Sequence, residues 1–175
     1  MRREVGKDIL QEFFKEFSKP FKSQCSVYIL GGASALVYGW RASTHDIDLK
    51  IIPDSEAFNV IAKLKDTLSV NIELASPDDF IPALPLWQER SVFIERRGNV
   101  DFFHFDFYSQ ALSKIERGFE RDLLDVKSMY EYGLLDLRKL LPLFNEIEPN
   151  FIKYPAIDPK SFKSKVVKFI ADLEK

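Results

Sequence analysis

The stretch that decides the fold is YILGGASALVYGWRASTHDIDL, which runs from Tyr28 to Leu49. A short β-rich run leads into Gly31-Gly32, and residues 33–40 then have the composition of a helix. A doubled glycine lets the backbone turn sharply and approach a ligand closely. The free N–H groups at the start of the helix favour an anion such as a phosphate. The stretch therefore predicts a phosphate-binding turn between a strand and a helix.

Two carboxylates follow on the next predicted strand. Asp46 and Asp48 are two residues apart, so both side chains project from the same face of the strand. Because neighbouring carboxylates repel each other, they need a compensating partner, and a divalent cation supplies one. Mg²⁺ takes oxygen ligands and commonly binds through one or two carboxylates plus substrate phosphates. A phosphate-binding turn beside a pair of carboxylates provides the groups that metal-assisted phosphoryl or nucleotidyl transfer requires.

The remaining elements follow from apolar periodicity and from glycine and proline breaks. Helices are predicted at 3–18, 33–40, 54–67, 108–117, 120–132, 136–146 and 160–174. Strands are predicted at 26–30, 46–52, 70–75, 91–95 and 100–107. Residues 77–88 are predicted to be a loop, because three prolines oppose regular structure there. The order predicts an α+β (mixed α/β) fold, with a core domain at 1–135 and a C-terminal helical extension of the same domain at 136–175.

Composition narrows the classes of function. The chain has 175 residues, of which 46% are hydrophobic, so a disordered chain is excluded. Its 25 basic and 27 acidic residues exclude a polybasic nucleic-acid binder and leave room only for a local patch. The single cysteine, Cys25, excludes an internal disulfide and a cysteine-based zinc cage, and we expect it to be inert. The sequence shows no signal peptide and no membrane span, so we expect a cytoplasmic protein without a membrane partner.

Two motifs together resemble the signature of the nucleotidyltransferase superfamily, which is DNA polymerase β-like. They are Leu30-Gly31-Gly32 and Asp46-Ile47-Asp48-Leu49, separated by thirteen residues, a gap at the long end of the family's range. Gly32 stands where many members have serine. The resemblance implies a mixed sheet flanked by helices and an NTP whose triphosphate lies over Gly31 and Gly32. It also implies Mg²⁺ (or Mn²⁺), with two ions held by the two aspartates.

The same resemblance implies a third carboxylate on a following strand. Glu73 is the first candidate, because Asn71 and Glu73 would face the site while Val70, Ile72 and Leu74 face the core. The family usually has aspartate at this position. Asp106 is the runner-up, and Asp101 ranks behind it because it shares a face with phenylalanines.

Further polar residues near the two motifs are candidates for binding the nucleotide. They are Ser34, Arg41 and Thr44. Arg41 would meet a phosphate, or pair with Asp46 when no metal is present. The two histidines are expected to be structural: His45 belongs to the local structure before the strand, and His104 alternates with phenylalanines as a packed residue.

Two later stretches, SPDDFIPALPLW and DFYSQALSKIERGFERDLLDV, resemble an uncharacterised prokaryotic branch of nucleotidyltransferases. This branch is related to the nucleotidyltransferase-like toxins of the AbiE type. In those toxins a lysine on a helix contacts the triphosphate, and an aspartate further along the chain acts in catalysis. The matching positions are Lys114, Arg117, Arg121, Asp122 and Asp125. The three cations share one helix face if Gly118 does not break the helix. The alternative for Lys114 and Arg121 is a solvated basic face.

The first hypothesis is therefore a Mg²⁺-dependent nucleotidyltransferase that binds an NTP and modifies an acceptor hydroxyl on an RNA 3′ end, a protein or a small molecule. Glu73 would complete the second metal site, and Lys114 or Arg121 would neutralise the departing pyrophosphate. The alternatives are a non-catalytic module that binds nucleotide or a partner, and a toxin-like protein with a cognate antitoxin. The strand at 100–107 is apolar on both faces, which predicts a covering helix or a homodimer partner.

Overall fold

A computed structural model describes residues 2–174 and leaves Met1 and Lys175, the ends of the two predicted domain ranges, outside the described residues. The chain divides into two compact units, one formed by 1–76 and 91–105 and the other by 77–90 and 106–175. The predicted boundary between residues 135 and 136 stays a prediction.

Within residues 2–174, the first unit contains a five-stranded sheet and three helices. Its elements in chain order are α1 (Lys7–Ser18), β1 (Cys25–Leu30), α2 (Gly31–Tyr38), β2 (Asp46–Ile52), α3 (Ala57–Thr67), β3 (Asn71–Leu74), β4 (Val92–Arg97) and β5 (Val100–His104). The strand order is β3-β2-β1-β5-β4. Strands β1 and β2 are antiparallel, as are β4 and β5, whereas β1 and β5, and β2 and β3, are parallel. This mixed sheet with flanking helices confirms the predicted fold class.

The core of this unit lies under one face of the sheet. The alternation along β2 buries Ile47, Leu49 and Ile51 and leaves the residues between them half-buried on the opposite face. Helix α1 covers the buried face, and its Phe14 ring packs 4.3 Å from the ring of Phe102, between centroids. A helix of the same chain therefore covers this face of β5, which is one of the two arrangements predicted for this strand. The homodimer stays a prediction.

Several boundaries differ from the sequence prediction, and for two of them the structure shows the cause. Helix α1 begins at Lys7 and not at residue 3, because Val5 forms a β-bridge with Thr44 in extended backbone. Strand β5 ends at His104 and does not continue to 107, because Asp106 leaves the sheet to cap the next helix. In the first place a backbone partner distant in the chain decides the boundary, and in the second a local helix cap does.

The second unit is helical. Its elements are a 3-10 turn (Pro77–Asp79), α4 (Trp87–Arg90), α5 (Phe107–Arg117), α6 (Glu120–Glu131), α7 (Leu137–Ile147), a 3-10 segment (Glu148–Lys153) and α8 (Pro159–Leu173). The rings of Phe144, Phe151 and Phe162 pack together in its core. Among the described residues, no helix has both the length and the apolar character that crossing a membrane requires.

The prediction of an unstructured loop at 77–88 was wrong in two places. Pro77 starts the 3-10 turn, and its carbonyl accepts hydrogen bonds from the N–H groups of Phe80 and Ile81. Proline suits the first position of a helical turn, because its fixed φ is already helical and its missing N–H has no partner there. Helix α4 then begins before the end of the predicted loop.

Candidate functional site

The turn between β1 and α2 has a backbone that only glycine adopts without strain. Gly31 has φ +58°, in the left-handed region, and it is the first residue of α2. Register places Leu30, the last residue of β1, opposite Asp48 on β2. As a result, a Cβ atom on Gly31 would lie 3.0 Å from Oδ2 of Asp48. The glycine turn thus lies beside Asp48, one of the two predicted carboxylates.

Gly32 is required for a different reason. A Cβ atom there would lie 2.0 Å from Oγ1 and 2.6 Å from Cβ of Thr44, which is an overlap. Thr44 has no freedom to retreat, since its N–H and C=O both exchange hydrogen bonds with Val5 at 3.0 Å and 2.8 Å. Serine, which the resemblance gives as common at this position, therefore does not fit here. Thr44 packs under the turn, and its predicted contact with nucleotide stays a prediction.

Ser34 supports the same turn from inside the unit. Its hydroxyl is fully buried and forms a 2.6 Å hydrogen bond with Nδ1 of His104, at the end of β5. The ring of His104 also packs 4.6 Å from that of Tyr38, between centroids. Burial lowers the pKa of His104 from 6.5 to about 4, so the ring is neutral at physiological pH. The expectation that His104 is a packed residue is confirmed, but its bond to Ser34 was not foreseen.

The two aspartates lie on the sheet face opposite the core, both half-buried. The parallel strand β3 brings two more polar residues alongside: Asn71 pairs with Asp46, and Glu73 pairs with Asp48. The amide Nδ2 of Asn71 donates hydrogen bonds of 2.7 Å to Oδ1 of Asp46 and of 2.7 Å to Oε1 of Glu73. The structure thus brings together Asp46, Asp48 and Glu73 on adjacent strands, with an amide between the first and the last.

This site has the ligand chemistry of a hard cation, because its donors are carboxylate oxygens. Within residues 2–174, no group of three or more His, Cys, Asp and Glu side chains is arranged to hold a metal ion. The binding of Mg²⁺ or Mn²⁺ by Asp46, Asp48 and Glu73 stays a prediction. Arg41 lies half-buried in the loop before β2, where its role toward phosphate stays a prediction.

Asp106 lies outside the strands, in the second unit. Its carboxylate accepts hydrogen bonds from the N–H groups of Tyr108 and Ser109 and thereby caps α5. It also forms a bidentate pair with Arg90, at 3.1 Å and 2.9 Å. Asp101, the third-ranked candidate, is bound by Arg96 and Gln24, and the Arg96 guanidinium lowers its pKa. Both carboxylates therefore have structural partners.

The basic residues of the later stretch do not form one helix face. Gly118, with φ +72°, ends α5, so Arg121 lies on α6 and is separated from Lys114 and Arg117 by the break. The condition for a shared face is therefore not met, because glycine takes the left-handed C-cap conformation that stops a helix. Arg121 is exposed, and its predicted contact with nucleotide stays a prediction.

Lys114 is buried among carboxylates. Its Nζ donates hydrogen bonds to Asp122 at 3.0 Å and to Asp125 at 2.8 Å. Arg117 binds Asp122 as well, at 2.8 Å. The cluster joins α5 to α6 inside the second unit. The family resemblance had singled out the same residues as candidates. The contact of Lys114 with a triphosphate stays a prediction.

A strand, a glycine turn, a helix and a carboxylate pair on the antiparallel neighbouring strand define a nucleotidyltransferase-type domain. Comparison with family models agrees: residues 8–171 match the family described as "Nucleotidyltransferase of unknown function" (DUF6036), and the chain belongs to that family. No curated protein and no solved structure matches the chain.

Proposed function

We propose that this protein is a Mg²⁺- or Mn²⁺-dependent nucleotidyltransferase that moves a nucleoside monophosphate from an NTP to an acceptor hydroxyl. The observation that carries the proposal is the register of β1 and β2, which sets Asp48 against the Gly31 turn. The membership of the chain in a nucleotidyltransferase family supports the same reading.

In this proposal the triphosphate binds over Gly31 and Gly32. Gly31 has no Cβ atom on the side of Asp48, so the phosphates can approach the backbone there, and the free N–H groups at the start of α2 favour an anion. The bond between Ser34 and His104 holds the first turn of α2 to β5, which keeps these N–H groups oriented before the nucleotide arrives. An orientation fixed in advance lowers the cost of binding.

Asp46 and Asp48 would hold the divalent cation together with phosphate oxygens. When bound, such an ion neutralises phosphate charge and polarises the phosphoryl oxygens. The acceptor hydroxyl attacks the α-phosphorus, a new P–O bond forms, and the bond to the bridging oxygen breaks, so that pyrophosphate leaves. We assign the role of accepting the hydroxyl proton to Glu73, and its position opposite Asp48 in the parallel ladder supports this assignment. The acceptor is an RNA 3′ end, a protein or a small molecule that carries a hydroxyl.

The experiment is incubation of the protein with Mg²⁺ and each NTP radiolabelled at the α-phosphate, in the presence of total RNA and protein extract. We expect label in one acceptor class and none with Asp46→Asn or Asp48→Asn. The matched control is Asp54→Asn, the same chemical change at an exposed residue beyond the end of β2. Transfer that survives both site variants, or no transfer together with no metal-dependent NTP binding, would overturn the proposal.

A second function, a nucleotide-binding module without transferase activity, is favoured by one observation. The amide of Asn71 holds Glu73 in a hydrogen bond, so this carboxylate already has a partner. The same incubation separates the two functions. Metal-dependent NTP binding without label in any acceptor indicates the module, whereas acceptor labelling that depends on Asp46 and Asp48 indicates the transferase.

A further inference from the structure

We propose that Asn71 is a positioning residue that limits the site to one divalent cation, held by Asp46 and Asp48, in place of the two ions that the family resemblance implies. The inference rests on the proposed function, and it concerns how many cations that site takes. Its basis is the pair of 2.7 Å hydrogen bonds that Nδ2 of Asn71 donates to Asp46 and Glu73.

The chemistry of the amide fixes its orientation. A carboxylate only accepts hydrogen bonds, so the group that lies between two carboxylates must be the NH₂ end of Asn71 and not its oxygen. That nitrogen carries two hydrogens, and each of them goes to one carboxylate. An amide NH₂ is a donor and offers no lone pair to a cation. A neutral hydrogen-bond donor therefore occupies the position between Asp46 and Glu73. A second cation would need this position to bridge the two carboxylates.

The pairing of strands β2 and β3 brings Asn71 next to Asp46. Asn71 is the register partner of Asp46 on the parallel strand, so their side chains project side by side from the same face. Glu73 is two residues further along and shares that face. A second cation would need oxygens of both carboxylates at about 2.0–2.1 Å, where Asn71 now donates to each. Oδ2 of Asp46 and the carboxylate of Asp48 lie outside this contact, and they are the ligands for the single cation.

The experiment is a Mn²⁺ titration followed by electron paramagnetic resonance, with and without a non-hydrolysable NTP analogue. We expect one bound Mn²⁺ per chain in the unaltered protein and two in Asn71→Asp, where a carboxylate replaces the amide. Asn71→Ala removes the donor without adding charge, and we expect a second, weaker Mn²⁺ there. Asn59→Asp is the matched control, because Asn59 is exposed on α3, and one ion is expected. Circular dichroism verifies that each variant is folded.

The possible failures are distinct. Two ions in the unaltered protein would overturn the inference and leave the proposed transferase intact. One ion in the unaltered protein and in both folded Asn71 variants would overturn the role of Asn71. No bound Mn²⁺ with or without the nucleotide analogue would overturn the proposed function, and the inference with it.

Discussion

Oδ2 of Asp48 lies 3.0 Å from the place that a Cβ atom on Gly31 would occupy. Gly31 also has φ +58°, and Gly98, in the turn between β4 and β5, has the same value with no atom near its own Cβ position. A substitution at either glycine strains the backbone, but only a substitution at Gly31 also pushes against Asp48. Comparing the two positions therefore distinguishes backbone strain from the steric effect on Asp48.

We predict that Gly31→Ala and Gly98→Ala lower the free energy of unfolding by a similar amount, roughly 1–2 kcal/mol, because alanine is strained in the left-handed region. Only Gly31→Ala also displaces Asp48, and we expect its Mn²⁺ binding to weaken about tenfold, which corresponds to about 1.4 kcal/mol. Urea unfolding measures the first effect and Mn²⁺ titration the second. Equal Mn²⁺ affinities in the two variants would show that the contact with Asp48 is unimportant.

The contact of Gly32 with Thr44 leads to a prediction of rescue. Gly32→Ala should lower the free energy of unfolding by about 1–3 kcal/mol, because the new Cβ overlaps Thr44. Adding Thr44→Gly to Gly32→Ala should recover more stability than adding Thr44→Ala, since alanine keeps the Cβ that lies 2.6 Å away. A double-mutant cycle by urea unfolding measures the coupling. Additive effects would exclude the overlap as the cause.

Much of the fold could be predicted, because its signals are local. Alternation along residues 46–52 and the breaks at Gly31, Gly118 and Gly133 fixed strand β2 and most helix ends within a few residues. The errors arose where an interaction other than apolar packing decides. Val5 is extended because it bridges Thr44, which is distant in the chain, and β5 stops early because Asp106 caps the helix that follows directly. Apolar periodicity carries no signal for either interaction.

His104 should make the stability of the first unit depend on pH. Burial lowers its pKa to about 4 in the folded protein, from 6.5, so the unfolded chain binds the proton more tightly. The stabilisation is therefore complete above pH 6.5 and is lost as the pH falls from 6.5 to 4. The loss amounts to about 3 kcal/mol at most.

The measurement is urea unfolding across this pH range for the unaltered protein, His104→Gln and the exposed control His45→Gln. Carboxylates titrate in the same range, so the informative quantity is the difference between the curves. We expect a shallower pH dependence only in His104→Gln. Parallel curves for all three proteins would contradict the assignment of this pH dependence to His104.

The carboxylates around Lys114 predict a structural role for this lysine. Lys114→Met leaves Asp122 and Asp125 buried without its charge, and we expect a loss of about 3–5 kcal/mol in the free energy of unfolding. Lys127→Met is the control, because Lys127 forms an exposed pair with Glu131 at 3.7 Å, worth about 0.3–0.5 kcal/mol. Unchanged stability of Lys114→Met with a loss of NTP binding would instead favour the contact with the triphosphate.

The candidate site could be predicted only in part. Gly31, Gly32, Asp46 and Asp48 have local signals, and the alternation along β3 placed Asn71 and Glu73 on one face. The bridge that Asn71 makes to Asp46 depends on the register of two parallel strands, which no local pattern fixes. The bond between Ser34 and His104 joins residues on elements far apart in the chain.

The topology of the sheet has a consequence for how the protein folds. Strand β1 pairs with β2, which follows soon along the chain, and with β5, which comes only after a long intervening segment. Closing the longer loop costs more chain entropy, and pairing between distant segments is slow. On a ribosome, the glycine turn and the aspartate strand would emerge well before the strand that carries His104. We therefore expect a nascent chain to acquire nucleotide affinity only after residue 104 has left the exit tunnel, so that the glycine turn matures among the last parts of the first unit.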